Sequence, residues 1–431
     1  MAVKVYKFGG ALLNKIEGFE QLKIIIANNI IPENNETVSE KNTIIVVVSA
    51  LQKTTSKLLE AAKTAELQGE TNAMIFIDEI FDYHFTVANK IINEEKNRKK
   101  ITSILEENKS QIAKIIRGIS ITKELTPRTK DLVLSFGEIL ASNIVTIFLS
   151  ETLPKNNLEI TLFDIKNVLI TDSNYGAAVP VLSATQQKIK DFLLPIIDAN
   201  EIISANKIII TQGFIASNQA GEITTMGYES SNLTATILAG LTSANEFIIW
   251  SDTEGIRQSD PKLSTVNSTV DTTPKLVEKI SYDFAEFLAN CGLKLIHPPM
   301  IKYLKMFDLE VVYKSGFAPA GDFSVIAKEG DNKKYRFLIH SDNLNLYYKS
   351  IRSNDLELEN TSTATFIYSE EQEAIQLCSE IYNSGLECNS AVQIYEIFIN
   401  NPKKTAVILY QSDSKNKFIE KTIQFFEQNF L

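Results

Sequence analysis

Two stretches near the N-terminus decide the fold class: Val3-Lys4-Val5-Tyr6-Lys7-Phe8-Gly9-Gly10, and then Thr43-Ile44-Ile45-Val46-Val47-Val48-Ser49-Ala50. In the first, apolar residues alternate and two glycines end the run, as in a strand feeding a tight turn. The second is a continuous β-branched run of the kind buried in parallel sheets. A helical stretch from Leu13 to Asn29 separates them. Strand, helix, strand opens a βαβ unit and predicts an α/β chain around a parallel sheet.

Outward from that unit, residues 56–118 carry no strand signal. They read as a helical insertion, with apolar periodicity through Ala73–Ile92 and Ile101–Ile116. Leu132–Leu149 is a further helix carrying Ser135-Phe136-Gly137-Glu138. Strands are expected at Glu159–Phe163, near Val168–Ile170, at Ile208–Ile210, Phe247–Trp250 and Val311–Tyr313. A polar loop is expected from Thr211-Gln212-Gly213 to Thr224-Thr225-Met226-Gly227. A small-residue helix is expected over Thr234–Leu241, and another over Leu276–Gly292, whose glycine suits a helix end. Charged and glycine residues at Lys328–Lys334 mark a boundary. Beyond it, strands at Phe337–His340, Leu344–Lys349, Thr363–Tyr368, Tyr395–Ile399 and Ala406–Tyr410 join helices at Glu370–Asn383 and Lys417–Asn429 in a small α+β module.

The composition of the 431 residues is globular, with 44 % hydrophobic and 22 % charged residues, and the length suggests two or three domains. A formal net charge of −10 disfavours nucleic acid and anionic membranes as partners. Three cysteines, Cys291, Cys378 and Cys388, form no paired framework, which suits a reducing, cytoplasmic setting. The N-terminus has no signal-peptide pattern, and no apolar run is expected to reach the roughly 18 residues of a membrane span. His84, His297 and His340 lie far apart, and no metal site is expected.

Five constellations could carry chemistry, and each has a plainer reading. Glycines after a strand let a backbone approach an anion, and Lys7 would add charge for a transferring phosphoryl group. The same residues read as an edge strand with a solvated lysine. Ser49-Ala50 with Lys53-Thr54-Thr55 lies where open α/β sheets bind ligands, or is a helix cap. Glu138 either holds a substrate ammonium or faces solvent. Ser251-Asp252, followed by Asp260-Pro261-Lys262, could orient a nucleotide or form turns. In Gly292-Leu293-Lys294-Leu295-Ile296-His297-Pro298, His297 reads as structural.

The order of these motifs is more specific than any one of them. Lys7-Phe8-Gly9-Gly10 is followed by a Val-Val-Ser-Ala strand end, Ser-x-Gly-Glu, Thr-Gln-Gly-Phe-Ile, Thr-Thr-x-Gly, Trp-x-Asp-x-x-Gly-Ile-x-x-x-Asp-Pro and Gly-x-Lys-x-x-His-Pro. Over residues 3 to 326 this series resembles aspartate kinase, of the amino-acid kinase family. The resemblance implies a three-layer αβα sandwich over residues 1–327 and an ACT-like regulatory and dimerisation domain over residues 335–431. It implies transfer of the γ-phosphoryl group of ATP, with Mg²⁺, to the side-chain carboxylate of L-aspartate or a similar small carboxylate. That is the first step toward lysine, threonine and methionine. It also implies a homodimer with lysine or threonine as effector.

Carried over by residue, Lys7, Gly9, Gly10, Asn232 and Lys294 would be catalytic. Ser49, Thr55, Glu138, Thr225, Tyr228 and Ser231 would line the amino-acid pocket. Ser251, Asp252, Arg257, Asp260, Lys262, Lys294 and Leu295 would border the nucleotide. The chain departs from the family in three places. Ala11-Leu12 replaces a hydroxyl-bearing pair. Gly227-Tyr228-Glu229-Ser230-Ser231-Asn232 stands where the family has Gly-Arg-x-Gly-Ser-Asp, so a tyrosine takes the place of a bidentate arginine and an asparagine that of an aspartate. Arg257 stands where an aromatic often contacts the nucleotide. The resemblance therefore also admits a paralogue with another substrate or a binding role.

Overall fold

The computed structural model describes residues 2–30, 42–155, 157–198, 206–259, 274–290, 293, 295–331, 337–341, 362–368, 393–397 and 404–411. The chain divides into two compact units, Met1–Thr253 with Lys314–Pro319, and Glu254–Tyr313 with Ala320–Leu431. The boundary expected at 328–334 falls inside the second.

The first unit opens with β1 (Ala2–Phe8), α1 (Ile16–Ile30) and β2 (Asn42–Val48), the expected βαβ unit. Helices α2 (Thr54–Gln68), α3 (Glu70–Ile91) and α4 (Glu95–Thr122) form the expected insertion. In α4, Ile101, Leu105, Ile112, Ile116 and Ile119 are buried at helical spacing while the charged positions face out. Helix α5 (Pro127–Thr152) begins where the Thr126 side chain accepts from the Thr129 N–H, with Pro127 at its first turn. Then follow β3 (Leu158–Phe163), β4 (Ile170–Thr171), α6 (Leu182–Lys188), α7 (Leu194–Asp198), β5 (Asn206–Gln212), β6 (Ile215–Asn218), β7 (Ile223–Thr225), α8 (Ser231–Leu241) and β8 (Glu246–Ser251).

The strand order is β8-β1-β2-β5-β3, with every pairing parallel. Six of the seven residues of β2 are buried, as an interior parallel strand requires. Helix α8 packs on β1, β2 and β8, and α5 packs on β2, β3 and β5. This is the expected α/β class with a mostly parallel sheet.

Three sequence expectations need correction. The supposed polar loop between Gly213 and Gly227 contains the hairpin β6–β7, and every residue from Ile215 to Asn218 is buried. Its polar residues are satisfied inside the fold. Ser217 donates to the Lys166 carbonyl at 2.7 Å, and the Asn218 Oδ1 accepts from the N–H groups of Ala220 and Glu222. Polarity therefore did not mean exposure. Helix α5 is long and apolar enough to cross a membrane by length and composition, contrary to the expectation of no such run, but 78 % of that stretch is buried inside the protein.

The third correction lies in the second unit. Residues expected as one helix from Leu276 form β10 (Leu276–Val277), paired antiparallel with β9 (Ile256–Arg257), then β11 (Lys279–Ser281). Only Tyr282–Asn290 is helical, as α9. Gly292 lies outside the described residues. Helix α10 (Pro298–Phe307), β12 (Val311–Ser315) and β13 (Phe323–Ala327) follow, with strand order β11-β13-β12. Strands β14 (Phe337–Ser341), β15 (Ser362–Tyr368), β16 (Gln393–Ile397) and β17 (Lys404–Gln411) form an antiparallel sheet of order β14-β15-β17-β16, close to four expected strands. The strand expected at 344–349, the helices expected at 370–383 and 417–429, and all three cysteines lie outside the described residues.

Candidate active site

Register brings the functional strand ends of the first unit together. Phe8 stands opposite Val48 on one side and Trp250 on the other, and Val48 stands opposite Gln212. The turns that follow, Gly9-Gly10, Ser49-Ala50, Gly213 and Ser251-Asp252, therefore leave the sheet at one level. The carboxyl ends of parallel strands are where open α/β sheets hold ligands. Backbone bonds fasten the turns to one another: the Gly9 N–H to the Trp250 carbonyl at 3.0 Å, the Ser49 N–H to the Phe8 carbonyl at 3.4 Å, and the Gly213 N–H to the Val48 carbonyl at 2.9 Å.

Gly10 is dictated by close approach. A Cβ there would lie 2.3 Å from the Ala50 carbonyl oxygen, a backbone atom with nowhere to go. Gly213 is similar, since its Cβ would sit 2.4 Å from that of Ser231. The Gly9 N–H is committed to the Trp250 carbonyl and does not face a ligand as a free donor. The Gly10 N–H carries no such bond.

Glu138 is buried on α5 rather than facing solvent. Its Oε1 accepts the Ala50 N–H at 3.1 Å, and its Oε2 is buried with no hydrogen-bond partner. Gly137 permits this contact, because a Cβ there would press to 2.9 Å on that of Ala50. Burial pushes the Glu138 carboxyl from 4.5 up to about 8, opposed by the Ala50 N–H and by Lys7. Lys7 is the complement. Burial brings its ammonium from 10.5 down to about 8, opposed by the charges of Glu229 and Glu138. The Lys7 Nζ lies 3.6 Å from where a Gly9 Cβ would be, directly over the glycine turn. A buried acid and a buried base with shifted ionisation beside a glycine turn are suited to binding an amino acid and a phosphate.

The loop before α8 forms the remaining wall. Gly227 has φ +88° and Glu229 φ +64°, a left-handed conformation that a glutamate rarely adopts. Tyr228 is 60 % exposed. Ser231 packs on Gly213, and the Asn232 N–H donates to the Glu229 carbonyl at 3.3 Å. The hydroxyls of Ser230 and of Thr211, near the end of β5, are buried without hydrogen-bond partners, as is Glu138 Oε2. Buried polar atoms normally find partners, so such a group marks a place for a polar ligand. Thr55 lies half-buried in the first turn of α2.

Other expected residues have different employment. The Thr225 hydroxyl donates to Asp131 Oδ1 at 2.8 Å. The Ser251 hydroxyl donates to the Thr253 carbonyl at 2.9 Å and shapes its own turn. In the second unit, Arg257 is held by the Glu254 carboxylate at 3.2 Å, the Glu254 carbonyl at 3.1 Å and Asp322 at 3.4 Å. Leu295 lies in a turn. His297 is buried at the start of α10, where burial lowers its imidazole to about 4, in keeping with a structural role. Asp260, Lys262 and Lys294 lie outside the described residues. Sequence reading missed Glu229 and Asp131. Asp131 stands seven residues before Glu138, two helical turns along one face, which is the signal that could have found it.

The sequence profile of the amino acid kinase family matches residues 2–312. The chain belongs to the amino acid kinase family. This amino acid kinase is 27 % identical over 336 residues to Aspartokinase 2, chloroplastic, of Arabidopsis thaliana, covering 77 % of this chain and 55 % of that one. It is 26 % identical over 330 residues to Lysine-sensitive aspartokinase 3 of Escherichia coli, covering 77 % and 65 %. It is 27 % identical over 316 residues to Bifunctional aspartokinase/homoserine dehydrogenase of Buchnera aphidicola, covering 73 % and 35 %. The matched region thus spans between 35 % and 65 % of the length of these relatives. In structure the kinase resembles E. coli aspartokinase III in complex with aspartate and ADP, with a TM-score of 0.71 at 18 % identity over 99 % of this chain and 100 % of that chain. The same enzyme with lysine and aspartate gives 0.64 at 20 % identity, over 99 % and 83 %. At these identities the likeness is one of fold.

Proposed function

We propose that this amino acid kinase transfers the γ-phosphoryl group of ATP to the side-chain carboxylate of L-aspartate. The observation that carries the reading is the Lys7–Glu138 pair at the mouth of the parallel sheet, with the buried Glu138 Oε2 left for a donor. A carboxylate oxygen of aspartate attacks the γ-phosphorus, the bond to the bridging oxygen breaks, and ADP leaves with that electron pair. The product is the mixed anhydride 4-phospho-L-aspartate, and no covalent bond to the protein forms. Lys7 neutralises charge spreading over the transferring group, and the Gly10 N–H adds a donor. Glu138 holds the substrate ammonium, whose arrival favours the ionised carboxylate.

Magnesium enters as part of the MgATP substrate. Among the described residues no cluster of three His, Cys, Asp or Glu could hold a metal by itself, so no step is assigned to a resident ion. Feedback by lysine or threonine through an ACT-like region, a homodimer and a cytoplasmic setting belong to the same proposal. The lysine-sensitive relative and the four-stranded sheet β14–β17 support the feedback alone.

A second reading rests on the loop before α8. Tyr228 offers one hydroxyl where a guanidinium would grip a carboxylate, and Glu229 places a negative charge beside Lys7. These features favour an acceptor other than aspartate. Incubation with ATP, Mg²⁺ and L-aspartate, trapping acyl phosphate with hydroxylamine, decides between them. Aspartate-dependent hydroxamate supports the first reading. No hydroxamate with ATP still bound refutes it in favour of the second.

A further inference from the structure

One face of α5 carries a polar stripe through an otherwise apolar helix. Asp131, Ser135, Glu138 and Ser142 follow at spacings of four, three and four, and all are buried. Three of them reach out of the helix to four different segments of the first unit. Glu138 takes the Ala50 N–H at the end of β2. The Ser142 hydroxyl takes the Gln212 amide, at the end of β5, at 3.0 Å. Asp131 takes the most: its Oδ2 accepts the N–H groups of Gly176 at 2.9 Å and Thr225 at 2.8 Å, and its Oδ1 accepts the Thr225 hydroxyl.

Both partners of Asp131 lead into the loop at 227–232. Thr225 ends β7, and the next residue, Met226, donates its N–H to the Phe214 carbonyl at 3.1 Å. Phe214 is itself held at φ +64°. On the other side, the Gly176 carbonyl lies 3.7 Å from where a Gly227 Cβ would be, and both glycines have positive φ. Asp131 thus pins both the chain that leads to Tyr228 and Glu229 and the Gly176 turn packed beside it. The same helix carries Glu138 seven residues later, about 10 Å along the axis.

We propose that Asp131 is a positioning residue for the phosphoryl acceptor, fixing the 227–232 loop to the helix that presents Glu138. Ionised hydrogen-bond acceptors are costly in a core, and a helix packed on a sheet needs none for stability alone. Three bonds to one carboxylate set a register between two walls of one pocket.

The test compares Asp131→Ala with Asp131→Asn. The asparagine can keep all three contacts, because the Thr225 hydroxyl can turn to accept from the amide. Asp131→Ala is expected to raise the KM for L-aspartate at least tenfold with the KM for ATP within twofold, and Asp131→Asn to return the first to within threefold of the unmodified protein. Hydrogen exchange over residues 223–232 is expected to be at least tenfold faster in Asp131→Ala, with β1 and β2 unchanged. Should that variant fail to fold, Thr225→Val removes the hydroxyl bond alone and is expected to raise the aspartate KM about threefold, with ATP unaffected. Equal movement of both KM values, or faster exchange throughout the unit, overturns the proposal. The kinetic arm rests on the aspartate kinase reading. If the unmodified protein does not use aspartate, that reading fails, and the exchange pattern alone decides this one.

Discussion

Replacing Glu138 with glutamine should reverse the usual expectation that removing a buried hydrogen-bonding group weakens a protein. Glutamine keeps an oxygen for the Ala50 N–H and places an amide where Oε2 is buried without a partner. The sign follows from the proton count. In the unfolded chain the carboxyl ionises near 4.5, and in the folded chain near 8. Between those values the folded state holds a proton that unfolding releases, so raising the pH favours unfolding. Between those values the group withdraws a few kcal/mol of stability, at up to about 1.4 kcal/mol per unit. Lys7 stays largely protonated over that range, its ionisation lying near 8. Urea denaturation of both proteins at pH 5, 6 and 7 is the assay. Glu138→Gln should gain on the unmodified protein as pH rises, by a few kcal/mol between pH 5 and 7, while its phosphoryl transfer to aspartate falls. Parallel stability profiles would refute the reasoning, because they would mean that Glu138 ionises at the same pH folded and unfolded.

Three further outcomes follow from the same geometry. Lys7→Met should lower turnover by roughly a hundredfold or more while leaving stability at pH 7 unchanged or raised, since a buried ammonium is replaced by an apolar chain. The unmodified protein gains stability from pH 8 to 10 as unfolded lysine alone keeps its proton, and this variant should lose that gain in the same denaturation series. Gly10→Ala should cost roughly 1–3 kcal/mol and weaken ATP binding, because its methyl group meets the Ala50 carbonyl. Trp250, the only tryptophan, bonds to Gly9 and stacks on Phe8 with centroids 6.2 Å apart, so its fluorescence reports that binding. Tyr228→Arg with Asn232→Asp should raise aspartate-dependent hydroxamate at least tenfold, the charged fork being worth roughly 1.5–3 kcal/mol. Unchanged activity in that pair would exonerate the loop.

The loop at 227–232 is where local rules and function pull apart. A glutamate at φ +64° is held in a conformation that its own backbone disfavours. The bonds from Asp131 to Thr225 and Gly176 supply the constraint around it. Tyr228 is left exposed by that arrangement rather than buried as an aromatic would otherwise prefer.

The sequence by itself determined the repeating frame. β-branched runs such as Thr43–Val48 have no stable place except a buried strand, and a 3.6-residue apolar period has none except a helix packed on one side. The glycines that end β1 were legible for the same reason, because few residues can follow a strand into so tight a turn. Only the tertiary structure decided what polarity meant. Residues 215–218 read as a loop because their polar groups find partners far along the chain, at Lys166 and Ser173. Leu276–Ser281 reads as helix because a two- or three-residue strand leaves no period to detect. Gly9 and Gly10 look alike in sequence, yet the Trp250 carbonyl takes the N–H of the first and leaves that of the second. Asp131 and Glu138 look like two ordinary helical acids. Their roles arise only because parallel register brings the Ala50 turn, and folding brings Gly176 and Thr225, to one buried face of one helix.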